Sequence, residues 1–483
     1  MRRPLALGAI AAIGLAACGS SGHDAAKAGA PSGPTVLRLA GGGRGLSLFP
    51  TVHEFVNAVQ RRSHGRVRIE VVGAYGADAP DAEQQVVRGV AARKVDLGYV
   101  RTGVFDFFGV KSLQALTAPM LITSYGVEAA VVRSDMPKRM LAGVDRAGVV
   151  GLAVLADQMR RPFGVARALL GPDDYRGVTV AAYPSRGTDA ALAALGARPV
   201  SLTGEPLMQG LRSGRVGAFE RTLRVYGGGG IAGSAPYATA NVNLWPQMLA
   251  LIASPAALKR LSAPERRWLG QAAADATTKS IAIARTDDRW IAEACRTGSR
   301  FTNASAAQIA ALRTRFEPLY AALEQDPQTR SYIARIRALA ASTPADPPPV
   351  IPTGCTGRPP ARVDLVAAAG RLDGTYRWTL TTADHKHDPF YDPSEAPGGA
   401  DVFTMRLDKG RWALHGALGD GSSEEDHGIF QVRGDRAVFS WQSPGETDVF
   451  RFRLAGDRLA LRLLSGDRGD GFVWGFKTWR KIG

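Results

Sequence analysis

The stretch Asp81-Ala82-Glu83-Gln84-Gln85-Val86-Val87-Arg88-Gly89-Val90-Ala91-Ala92-Arg93-Lys94-Val95-Asp96-Leu97-Gly98-Tyr99-Val100 changes its hydrophobic period partway along. Val86, Val87 and Val90 recur at helical spacing behind a capping Asp81, and Asp96-Leu97-Gly98-Tyr99-Val100 is a short apolar run of strand type. Upstream, Val67-Arg68-Ile69-Glu70-Val71-Val72 is a second strand, Phe49, Val52, Val56 and Val59 mark a helix, and Val36-Leu37-Arg38-Leu39-Ala40 is a first strand. Strands that alternate with helices in this way demand parallel sheets covered by helices. The rhythm continues to about Ala341. Residues 254–341 read as almost purely helical, with starts at Ser262-Ala263-Pro264-Glu265 and Ser305 and one helix over 281–294.

Residues 342–361 are rich in proline, including Pro347-Pro348-Pro349, and read as a semi-rigid polyproline II spacer. Beyond them the texture changes to short alternating runs separated by tight turns. Phe403-Met405-Leu407 and Trp412-Leu414 flank Asp408-Lys409-Gly410, and Phe450-Phe452-Leu454 and Leu459-Leu461-Leu463 flank Ala455-Gly456-Asp457. Tyr376-Trp378-Leu380 opens the series and Phe472-Trp474-Phe476 closes it. Consecutive hairpins with one apolar face make an antiparallel meander, and about eight strands suffice to close a small barrel; an open sandwich is the competing architecture. The expected chain is therefore an α/β two-lobed domain over 35–341 followed by an all-β domain over 362–483.

At the amino terminus, Met1-Arg2-Arg3 and the apolar stretch 4–17 read as an export signal, too short to span a bilayer. It ends in Leu15-Ala16-Ala17-Cys18, which resembles a bacterial lipobox. Residues 1–17 are thus expected to be a lipoprotein signal peptide, Cys18 the lipidated residue and 18–34 a flexible tether, so that the protein is extracytoplasmic and anchored to the cell membrane. Cys295 and Cys355 remain in an oxidising compartment, and a bond between them would close a loop of about 60 residues and pin the linker to the first domain.

The formal net charge is +16, from 60 basic and 44 acidic residues. The arginines are scattered singly, so no nucleic-acid partner is expected. Residues 361–483 carry 17 basic and 18 acidic groups, which places the whole excess in the first 360 residues, where it suits an anionic ligand or anionic lipid heads. No histidine lies between His64 and His385, which excludes a histidine-based triad or His-rich metal site from the α/β part. Gly41-Gly42-Gly43-Arg44-Gly45 and the run 227–230 lack the Lys-Ser/Thr of a phosphate loop. Asp384-His385-Lys386-His387-Asp388 has metal-ligand residue types but reads as a solvated loop. No catalytic constellation, metal site or cofactor motif emerges, so an enzyme is not expected.

Residues 36–341 resemble the solute-binding proteins of tripartite ATP-independent periplasmic (TRAP) transporters, the DctP type. The resemblance rests on the helix ending Arg62-Ser63-His64-Gly65-Arg66, the segment 83–98, Ala118-Pro119-Met120-Leu121, Tyr175-Arg176-Gly177-Val178-Thr179-Val180 and Ser213-Gly214-Arg215-Val216-Gly217-Ala218. It implies two α/β lobes bridged by a long helix and closing on a small ligand at a hinge. The position of the family's carboxylate-clamping arginine is Ala181 here, and alanine cannot hold a carboxylate bidentately. A second family arginine aligns with Arg160, with Arg161 as the register alternative; Arg221 and Arg186 are candidates for a displaced positive group. Tyr99, Tyr183, Phe219 and Trp245 fall at strand ends near the expected cleft, where they either wall a less polar ligand or pack the lobes. The implied function is a lipid-anchored solute-binding protein of a TRAP-type system, binding a small anionic organic ligand such as a carboxylate and working with membrane transporter subunits. The alternative is a non-transport surface lipoprotein that uses the degenerate fold and the barrel to bind a lipid or a protein partner.

Overall fold

A computed structural model describes residues 33–483 except 43–45, 47, 74, 77–78, 229–230, 297, 358, 360–369, 388–398, 420, 422, 442–446 and 466–467. The signal peptide, Cys18 and nearly all of the tether lie outside the described residues, as do Asp388 and part of each glycine run. Among the described residues no helix is long and apolar enough to cross a membrane.

The first lobe is built on a five-stranded sheet of β1 (Thr35–Ala40), β2 (Val67–Val72), β3 (Leu97–Arg101), β4 (Val150–Leu155) and β11 (Leu249–Ala253), in the order β2-β1-β3-β11-β4. β1 runs parallel to β2 and β3, while β11 returns antiparallel between β3 and β4. In β1 the pattern is half-buried: Leu37 and Leu39 face the core and Arg38 faces water. The second lobe has β5 (Met159–Gly164), β6 (Thr179–Ala182), β7 (Arg198–Ser201), β8 (Ala218–Thr222), β9 (Tyr237–Thr239), β10 (Trp245–Pro246) and β12 (Arg300–Thr302). Its order is β12-β9-β5-β8-β6-β7, with β10 also on β5.

The helix Ala263–Ala284 starts in a capping box, Ser262 Oγ accepting from Glu265 N and the Glu265 carboxylate accepting from Ser262 N at 2.7 Å. It packs on the first lobe. The expected single helix over 281–294 is broken at Arg285-Thr286, and the helix Asp287–Arg296 that follows packs on the second lobe. The break falls where Gln158 Nε2 donates to Thr286 Oγ1 at 2.8 Å, so a tertiary contact takes the place of the continuing helix. The short strand β12 was also hidden within the helical reading; it pairs with β9, which supplies partners that its own sequence does not announce.

The eight strands of the last part close a barrel, which decides against the open sandwich: β13 (Gly374–Leu380), β14 (Asp401–Asp408), β15 (Arg411–Ala417), β16 (Ser423–Arg433), β17 (Arg436–Trp441), β18 (Thr447–Ala455), β19 (Arg458–Ser465) and β20 (Trp479–Lys481). β13 pairs with both β14 and β20. Phe472-Trp474-Phe476 is not the closing strand. It lies on and just after the helix Arg468–Gly475, whose Trp474 is buried against Trp412 and Phe439, and β20 closes the barrel instead. Asp384-His385 is likewise helical rather than loop: Thr382–His385 is capped by Thr381 and Asp384, and His385 Nε2 lies 2.8 Å from Asp401.

The proline-rich segment is not a free spacer. The Asp346 carboxylate accepts from the backbone N–H groups of Tyr125 and Gly126 at the start of the helix Tyr125–Arg133 in the first lobe. A side chain at Gly126 would meet Thr343 Cγ2 at 2.9 Å, so glycine permits the approach. Further along, Val350 N donates to Asp288 at 2.9 Å and Phe301 N to Cys355 O at 2.8 Å. Cys355 is joined to Cys295 on the Asp287–Arg296 helix, with Cα atoms 5.5 Å apart. Residues 343–355 therefore run as a strap from one lobe to the other.

Candidate functional site

The chain crosses between the lobes at residues 156–158, and the crossing is filled by buried polar groups. Asp157 pairs with Arg224 at 2.8 Å and accepts from Gln247 Nε2 at 3.0 Å. Gln247 Oε1 in turn accepts from Arg101 Nε at 3.1 Å. A chain of hydrogen bonds thus links Arg101, at the carboxyl end of β3, to the hinge. Glu128, fully buried, accepts from Asp157 N, and burial pushes its carboxyl well above the usual range.

The cleft between the lobes is lined by Phe49, Glu83, Arg101 and Val104 from the first lobe, Tyr183 from the second, and Gln247 from the connection between β10 and β11. Its cavity volume is about 50 Å³, which describes a nearly closed cleft. Glu83 stands in the first turn of the helix Ala82–Ala91, where the helix dipole favours an acid. Its Oε1 accepts from Arg101 Nη1 at 2.6 Å. The Arg101 guanidinium lies 3.4 Å from the ring centre of Tyr183, which also has Arg221 at 3.9 Å and Arg160 at 4.8 Å. Burial lowers the Arg101 pKa, but Glu83 leads the groups that outweigh it and raise it overall.

Of the arginines proposed from sequence, Arg160 lies at the cleft and Arg161 does not. Neighbours on a strand face opposite ways. Arg160 pairs with the buried Glu220, while Arg161 binds Asp287 at 2.6 Å, an acid that also accepts from Tyr125 Oη. Arg161 thus belongs to the hinge, which corrects the register alternative. Arg221 reaches the strand that carries Ala181, but its donors go to the carbonyls of Ala181, Glu220 and Leu202, so it ties β8 to its neighbours. Arg186 is exposed over Phe107 and lies off the cleft lining.

Among the aromatics, Tyr183 and Trp245 line the site, Trp245 in a smaller cavity shared with Arg101, Arg160 and Ser185. Tyr99 packs against Phe49 in the first-lobe core, and Phe219 packs with Phe163 and Tyr226 in the second. These two therefore pack the lobes. Among the described residues, Arg160 Nε and Trp245 Nε1, both buried, have no hydrogen-bond partner. Arg101 and Gln247 were not singled out from sequence: an arginine at the end of a strand carries no signal until the helix bearing Glu83 is folded against it. Among the described residues no group of three or more His, Cys, Asp or Glu is placed to hold a metal ion.

The model of the family described as bacterial extracellular solute-binding protein, family 7 (DctP) matches residues 46–326, more than half of the chain. No curated protein matches. Among solved structures, a TRAP periplasmic solute-binding protein from Ralstonia eutropha H16 with bound (S)-2-acetolactate is 18% identical, with a TM-score of 0.57 over 64% of this chain and 99% of that one. A TRAP solute-binding protein from Chromohalobacter salexigens with bound D-glucuronate is 17% identical, with a TM-score of 0.56 over 63% and 99%. The sugar acid binding protein of Advenella mimigardefordensis in complex with galactonate is 18% identical, with a TM-score of 0.57 over 64% and 99%. At this identity the likeness shows the two-lobed fold, and about a third of this chain lies outside it. On the family match and the shared fold, the chain belongs to the bacterial extracellular solute-binding proteins of family 7, the DctP type.

Proposed function

We propose that this chain is the extracytoplasmic solute-binding protein of a TRAP-type transport system, held at the membrane through a lipid on Cys18, and that its two lobes close on a small organic acid. The observation that carries the reading is that two buried N–H donors lining one cavity with Arg101, Arg160 Nε and Trp245 Nε1, have no acceptor among the described residues. Leaving such groups unmade costs about 1–3 kcal/mol each, and a ligand carboxylate would satisfy them. The solved relatives named above hold acetolactate, glucuronate and galactonate, all of them carboxylates. In this reading Arg160 takes the anion, Tyr183 and Trp245 wall the ligand, and membrane transporter subunits receive it. No chemical step on the ligand is involved.

Calorimetry with D-galactonate and D-glucuronate tests the reading. Arg160→Ala is expected to weaken binding by ~1.5–3 kcal/mol, the worth of a hydrogen bond to a charged group, and more than Arg221→Ala does. Arg160→Lys keeps a charge beside Glu220 and separates loss of the clamp from loss of fold. Equal and negligible effects of the two alanine variants would overturn the role of Arg160.

A further inference from the structure

The charges of the cleft do not cancel. Three guanidiniums, those of Arg101, Arg160 and Arg221, gather around the Tyr183 ring. Two carboxylates answer them: Glu220, paired with Arg160 and 3.9 Å from Arg221, and Glu83, 2.6 Å from Arg101. The other acids nearby are committed elsewhere. Asp157 is held by Arg224, and Asp106 accepts from Ser185 Oγ and Gly187 N at the start of the helix Arg186–Ala194. One positive charge is left over in a place where unmatched charge is costly.

The Arg160 guanidinium is buried among these charges. Burial first, and then repulsion from Arg101 and Arg221 against the pull of Glu220, push its pKa down to about 10. The surplus also has a location. The cavity shared by Arg101, Arg160 and Trp245 has a volume of about 20 Å³, room for one or two water-sized atoms such as the two oxygens of a carboxylate. The hydrogen bonds of the Arg101 guanidinium leave from Nε and Nη1, to Gln247 and Glu83.

Resting on the reading of the cleft as an organic-acid site, we propose that it selects ligands of a single negative charge, with Arg101 as an anion-binding residue of the first lobe and Glu83 as the residue that excludes a second carboxylate. The first carboxylate neutralises the surplus. A second must lie in the remaining cavity, which Glu83 also lines, and there it meets like charge, with Arg101, already engaged by Glu83, the one cation among the described lining residues. Specificity of this kind comes from a repulsive element built beside an attractive one.

The test uses acids matched in skeleton: D-galactonate against galactarate and D-gluconate against D-glucarate, titrated calorimetrically into the full-length protein. The wild type is expected to bind each monoacid at least about tenfold more tightly than its diacid. Glu83→Gln is expected to shrink that ratio to about threefold or reverse it, and Glu83→Ala, which removes the charge by truncation, must move it the same way. Arg101→Gln should weaken the monoacid about tenfold. Glu70→Gln, exposed on β2, should leave the ratio unchanged. A wild-type ratio near one or in favour of the diacid, or a ratio unmoved by both Glu83 variants, overturns the proposal while leaving the organic-acid site standing. Binding of neither member of either pair overturns the organic-acid reading itself, and this proposal with it.

Discussion

At the hinge and cleft the first part of the chain buries Glu128, Asp157, Arg160, Arg161, Glu220, Arg221 and Arg224, while the barrel buries Tyr376, Trp412, Phe439, Phe450, Trp474 and Trp479. The barrel rings touch one another: Trp474 lies 4.8 Å from Phe439, 5.0 Å from Trp412 and 5.8 Å from Phe450, centre to centre. Such packing fills the lumen with side chains and stabilises one arrangement. Buried ion pairs are no better than apolar packing for stability, because desolvation offsets their attraction. Their concentration between two lobes fits a part of the molecule that has to exchange partners when a ligand enters.

The widest test of this contrast is whether each interior tolerates replacement. Glu220→Ala should cost about 3–5 kcal/mol, because it strands Arg160. The double variant Arg160→Met with Glu220→Leu should recover most of that loss in a denaturant titration, since an apolar pair of similar volume replaces the charges. Trp474→Ala should also cost about 3–5 kcal/mol, with no partner substitution able to restore it. Recovery in the barrel, or none at the cleft, would break the distinction.

Next in size is the Cys295–Cys355 bond, which closes a loop of 60 residues. Replacing both cysteines by serine should lower stability by up to ~4 kcal/mol in the chain-entropy picture. The loss is expected in the solute-binding part, read by hydrogen exchange of its peptides, and unchanged protection there would contradict it.

The smallest effect is a slope. Burial raises the Glu128 carboxyl above its unfolded value, so the folded state keeps a proton that the unfolded chain has released. The stability this group contributes is complete below the unfolded pKa and is lost as pH rises toward the folded one, at about 1.4 kcal/mol per pH unit. Glu128→Gln, which keeps the acceptor for Asp157 N, should match the parent near pH 4 and exceed it at pH 7 in melting temperature. A parallel pair of pH profiles would show that Glu128 does not titrate in that window.

The strands of the first lobe were legible because half-buried and fully buried strands leave short apolar runs, and β2 occupies the residues read from sequence. The hairpins of the barrel were legible through alternation and turn residues, as at Lys409-Gly410, both with positive φ. The site was less so. Arg160 was reached by resemblance, but Arg161 beside it differs only in facing the other way, which no composition reveals. Arg101 gains its meaning from Glu83 and Tyr183, which are 18 residues before it and 82 after it in the chain. Phe472-Trp474-Phe476 alternates as a strand would, yet its Trp474 is needed as a plug, and tertiary packing overrides the local pattern.

The strap also sets a limit on motion. Asp346 is fastened to the first lobe and Cys355 to the second, nine residues apart, and a chain of that length extends to at most about 30 Å. The hinge therefore has a travel stop written into the sequence. Because the bond to Cys295 fixes the far end of the strap, Cys355 travels with the second lobe, and the strap is drawn out or slackened as the cleft opens and closes.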